Sequence, residues 1–107
     1  MTTILKAKVL KFNVKHADNR LFIYVNSVQL AKMNGDGDPQ LNQSYEFKAP
    51  PGAHDILVLM VNHGGPTHFD YSVVADGVSV EHFKKGPTGA EIGLLWANHY
   101  VVVNEGD

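Results

Sequence analysis

Arg20-Leu21-Phe22-Ile23-Tyr24-Val25-Asn26 puts Leu21, Ile23 and Val25 on one side of an extended chain and Phe22, Tyr24 and Asn26 on the other. A repeat of two is the signature of a strand with one buried face, and it recurs. In Phe69-Asp70-Tyr71-Ser72-Val73-Val74-Ala75 the inward set is Phe69, Tyr71, Val73 and Ala75. Ile56-Leu57-Val58-Leu59-Met60-Val61 is apolar throughout, the pattern of a central strand covered on both sides. Ile4 to Val14 reads as one long strand whose apolar face switches at a bulge near Val9-Leu10. Gln43 to Lys48, with Tyr45 and Phe47 on one face, Val78 to Phe83, and Ile92 to Val103, kinked near Ala97-Asn98, complete the set.

The turns agree with the strands. Asp76-Gly77 between two alternating runs is a two-residue hairpin signal, because both positions tolerate positive φ. Asn34-Gly35-Asp36-Gly37-Asp38-Pro39, Pro50-Pro51-Gly52, His63-Gly64-Gly65-Pro66 and Lys84-Lys85-Gly86-Pro87-Thr88-Gly89 read as loops. No long segment keeps a 3.6-residue period, although Ser27 to Met33 has room for a turn or two of helix. The expectation is an all-β fold: an antiparallel β-sandwich, jelly-roll-like, of about seven to eight strands. With 107 residues there is room for one core, so residues 1–107 form a single domain.

Composition excludes several classes. Nine Lys and Arg against eleven Asp and Glu give a net charge of −2, without the basic excess that phosphate neutralisation needs, so no nucleic-acid partner is expected. Lys6, Lys8, Lys11 and Lys15 read as solvated strand positions. No run reaches the ~18 apolar residues that cross a bilayer, so no membrane insertion is expected. Met1-Thr2-Thr3-Ile4-Leu5-Lys6 meets a lysine before an apolar core builds, which suggests a cytoplasmic chain or one exported without a classical signal peptide. The absence of cysteine removes disulfides, thiolate metal sites and cysteine nucleophiles. Protonating all six histidines would move the net charge from −2 to +4.

Three places could carry chemistry. Asn34, Asp36 and Asp38 have the first, third and fifth spacing of a calcium loop, but Pro39 replaces its glycine and Tyr45 its closing glutamate. Two readings stay open there: plain turn chemistry, or a non-helical loop that takes calcium on Asp36 and Asp38. In Asn62-His63-Gly64-Gly65-Pro66-Thr67-His68-Phe69-Asp70, the residues His63, His68 and Asp70 are candidate metal ligands, against a bland Gly-Gly-Pro connection. Trp96-Ala97-Asn98-His99-Tyr100 joins an aromatic ring to amide and imidazole groups, against a core role for Trp96 beside Leu94, Leu95 and Val101.

Catalysis has little footing. No nucleophile elbow surrounds Ser27, Ser44, Ser72 or Ser79, and phosphate and dinucleotide fingerprints are absent, so an enzyme is not expected.

Leu21-Phe22-Ile23-Tyr24-Val25-Asn26-Ser27, followed by Pro51-Gly52-Ala53-His54-Asp55-Ile56-Leu57-Val58-Leu59-Met60-Val61-Asn62-His63-Gly64-Gly65, resembles galactose-binding-like jelly-roll modules. Such modules read Y-V-N-G, then P-G-x-N-x-I-x-V, then an N-x-G-G turn; here Ser27 replaces the Gly and His54-Asp55 stand near the Asn. The resemblance covers roughly residues 20–75. It implies a non-catalytic module that binds carbohydrate through loops at one end of the sandwich.

Sugars combine apolar C–H faces with hydroxyls, so rings with amide, carboxylate and imidazole neighbours suit them. The expected function is lectin-like carbohydrate binding through rim loops, calcium-assisted in one reading. The candidate contacts are Asn34, Asp36, Asp38, His63, Thr67, His68, Asp70, Trp96, Asn98 and His99. Individually weak contacts favour a homo-oligomer with several identical sites, and Tyr100-Val101-Val102-Val103 offers an apolar stretch for assembly. The rival is a structural or protein-interaction module that assembles through a sheet face or edge and takes no small ligand.

Overall fold

The computed structural model describes residues 2–36, 40–65, 67–88 and 92–106, with the backbone alone for 85–88. Nine strands run through them: β1 (Thr2–Lys6), β2 (Val9–Asp18), β3 (Arg20–Val25), β4 (Val28–Asn34), β5 (Gln43–Lys48), β6 (Gly52–Asn62), β7 (Thr67–Ala75), β8 (Val78–Thr88) and β9 (Gly93–Asn104). They form a five-stranded sheet, β1-β9-β6-β3-β4, and a four-stranded sheet, β5-β2-β7-β8. All pairs are antiparallel except β1 with β9. Only the β3–β4 and β7–β8 links stay within a sheet; every other link crosses between layers. No helix among the described residues is long and apolar enough to cross a membrane.

The alternating residues make the core. Leu21, Ile23 and Val25 of β3, Ile56, Val58 and Met60 of β6, and Tyr100 and Val102 of β9 face Leu10, Phe12 and Val14 of β2 and Phe69, Tyr71 and Val73 of β7. All are buried, at up to about 2–3 kcal/mol for each large apolar side chain removed from water. Ala75 is only partly buried.

Five local expectations are corrected. The stretch from Ile4 to Val14 is two strands in different sheets, not one bulged strand. The buried Ala7 donates to Val103 O, and the carboxylate of Asp76 accepts the next two amides, Lys8 N at 2.9 Å and Val9 N at 2.8 Å, so the chain crosses layers there. Ser27 to Met33 holds no helix: Asn26 (φ 48°) and Ser27 (φ 69°) form a two-residue turn, and β4 returns beside β3. Strand β6 is buried on one face only, since Leu57 is 36% exposed and Leu59 and Val61 are half-buried. The irregularity in β9 lies opposite Met60–Val61, between Leu94 and Trp96, rather than at Ala97-Asn98. Finally, 84–88 continue β8 instead of forming a loop, and Pro87 is tolerated because β8 is an edge strand. The Asp76-Gly77 hairpin forms as read, with φ of 48° and 81°.

Candidate functional site

Crossing links carry two loops to one end of the sandwich, and there the two candidate tracts meet. Arg20 begins β3, and its guanidinium donates from Nη2 to Asp36 Oδ2 over 2.9 Å, while Nη1 lies 3.4 Å from His63 Nε2. Asn19 ties both loops: its side-chain oxygen accepts from His63 N at 2.7 Å and its backbone oxygen from Gly35 N at 2.7 Å. Asn34 Oδ1 accepts from Asp36 N at 3.0 Å, an Asx turn. Asn62, fully buried, donates from Nδ2 to Gly65 O and accepts from Gly64 N.

The polar groups of the two loops pair with one another, while the buried Nε of Arg20 has no hydrogen-bond partner. The Asp36 carboxylate is engaged by a guanidinium and the Asn34 side-chain oxygen by a backbone amide. Asp38 lies outside the described residues. In the second tract His63 contacts Arg20, whereas the His68 ring stacks on His16 with centroids 4.1 Å apart. No three metal-ligating side chains converge among the described residues.

Other candidates have structural roles. Thr67 is buried, and its Oγ1 donates to Asp18 O over 2.6 Å. Trp96 packs on Phe69 and Phe83 and donates from Nε1 to the Tyr71 hydroxyl. Asn98 is buried and donates to the Tyr100 hydroxyl. Asn98 is therefore turned into the core, while Trp96 is only partly buried against it. His99 is on the outer face of the five-stranded sheet, where Nε2 donates to Asp55 Oδ1 over 2.8 Å and Nδ1 lies 3.1 Å from Thr2 Oγ1.

Asp70 is placed differently. It points to the outer face of the four-stranded sheet, is only 8% exposed, and accepts from His82 Nε2 over 2.6 Å. The strand register lays a polar row across that face: Ser44 on β5, Asn13 on β2, Ser72 on β7 and His82 on β8 are successive neighbours. With Lys15 and Asp70 they line a groove of about 430 Å³, within the roughly 300–1,000 Å³ of small-ligand sites. One wall is Asn42 and Gln43, where the loop that starts at Asn34 rejoins the sheet; Leu41 N donates to Lys15 O at 2.7 Å and fixes that wall. The stacked His16 and His68 rings continue the same face, since His16 is the register partner of Asp70 and His68 is two residues before it.

No local motif marks Ser44, Asn13, Ser72 and His82 as site residues. The signal was their position: outward places on alternating strands are filled by Ser and Asn rather than by the usual Lys and Glu. No protein-family model, curated protein or solved structure matches this chain.

Proposed function

We propose that this protein is a non-catalytic carbohydrate-binding module whose ligand lies in the groove on the outer face of the four-stranded sheet. The observation that carries the reading is the row Ser44–Asn13–Ser72–His82 beside the nearly buried Asp70. Hydroxyl and amide groups donate and accept in turn, which matches vicinal sugar hydroxyls. Asp70 adds a charged acceptor, held in place by His82, and hydrogen bonds to a charged group contribute about 1.5–3 kcal/mol against about 1 for neutral ones. The groove is open along the sheet, which suits an internal segment of a glycan chain. The resemblance to galactose-binding-like modules supports the same class, with the site shifted from the loops at the rim to the sheet face.

The test is an array of cello-, xylo-, manno- and galacto-oligosaccharides, followed by calorimetry on any hit. Binding that falls at least ~10-fold in both Asp70→Asn and Asn13→Ala, with unchanged melting temperatures, is the expected result. No hit on the array, or a hit indifferent to both substitutions, overturns the reading.

A further inference from the structure

The outer face of the five-stranded sheet is built unlike the groove. Its central row, Thr2–His99–Leu57–Tyr24–Gln29, crosses all five strands, and the next row is Ala97–Leu59–Phe22–Lys32. Leu57 and Leu59, with Tyr24, Ser27, Asp55 and His99, surround a hollow of about 400 Å³. At the margins Ile4 and Leu94 protrude, 69% and 59% exposed. Strand β6 therefore carries the unbroken apolar sequence of a strand covered on both sides, while this chain covers one of them.

We infer that a second copy of this chain docks on this face, pairing the two five-stranded sheets about a two-fold axis. Three features point to a copy rather than an unrelated partner. Each strand residue covers about 16 Å² of sheet, so the five strands present roughly 650 Å² before side-chain relief, close to the ~800 Å² per partner of a standard interface. The ionic groups on and around the face balance, with Lys6, Arg20 and Lys32 against Asp36, Asp55 and Glu105, and Lys6–Glu105 and Arg20–Asp36 are already paired. A face for an acidic or basic partner would carry one sign. The face also holds both a knob and a hole. Ile4 sits on the row of Val101 and Asp55, beside the hollow, so an axis running along the strands between β9 and β6 seats each Ile4 over the other copy's hollow. The four-stranded sheets then face outward. The inference does not depend on sugar binding.

Sedimentation equilibrium of the full chain across the micromolar range tests it. The wild type is expected to be a dimer, and Leu57→Asp and Ile4→Asp to weaken it at least ~10-fold. Val78→Asp, at a site 64% exposed on the other sheet, is expected to leave it unchanged. Ile4 is exposed enough that its substitution leaves the fold intact even where Leu57→Asp does not. A wild type that stays monomeric throughout overturns the inference. So does a dimer that survives Ile4→Asp, or one that Val78→Asp breaks.

Discussion

The indole Nε1 of Trp96, on β9, donates to the hydroxyl of Tyr71, on β7, over 2.9 Å. This bond ties the five-stranded sheet to the four-stranded one across the core. Tyr100 joins them, its hydroxyl accepting from Asn98 Nδ2 at 3.0 Å and its ring meeting Phe12 edge-on at 5.9 Å. Trp96→Phe removes the donor and some packing. A loss of about 1–3 kcal/mol in urea unfolding is expected, with saccharide affinity unchanged. A selective loss of affinity without a loss of stability would return Trp96 to the binding site.

The same pair of phenols sets the alkaline limit. Burial is the main cause that raises both Tyr71 and Tyr100 above the ordinary phenol value of 10.0. In the unfolded chain they release protons above about pH 10, while in the fold they keep them. The unfolded state then binds fewer protons, so this contribution to stability is complete below pH ~10 and declines as pH rises further. Chemical unfolding at successive pH values should show that fall, and Tyr71→Phe should make it shallower.

Glu81 points into the four-stranded sheet's inner side, where one carboxylate oxygen is buried without a hydrogen-bond partner and raises both tyrosines through its charge. An unpaired buried carboxylate oxygen is costly. Glu81→Gln should therefore stabilise the protein, by about 1 kcal/mol, and a measured loss would show that the charge has a partner in solution.

Gly35 joins the rim loop to the core. A Cβ built there would collide with the backbone oxygen of the buried Ala17. Gly35→Ala should cost about 2–4 kcal/mol, and crystallography or NMR should find the Arg20–Asp36 pair displaced. A neutral result would mean that the loop is loosely seated.

How much of this could be read from residues alone follows from what each pattern encodes. Alternation in Arg20–Val25 and Phe69–Val73 specifies which side chains are buried, and those side chains are the core. It does not specify which sheet a strand joins, so the layer crossing at Ala7–Lys8 resembled a bulge. Asn26-Ser27 does not read as a turn because it lacks the glycine that usually marks positive φ. Meeting of the Asn34–Asp36 and Asn62–Asp70 tracts at Arg20 depends on long-range pairing that no local motif records. Asp70 was a candidate from its place in the Asn62–Asp70 tract. Asn13, Ser44 and Ser72 were not, because a polar outward residue is ordinary until its cross-strand neighbours are known.

The proposed carbohydrate site runs across the row from Ser44 to His82. Its most direct test is amide chemical-shift mapping of the labelled protein titrated with the best oligosaccharide from the array. The largest shifts are expected at Asn13, Ser44, Asp70, Ser72 and His82, with little change at Leu57 or His99. Shifts confined to the Arg20–Asp36–His63 end, or to the hollow around Leu57, would contradict it.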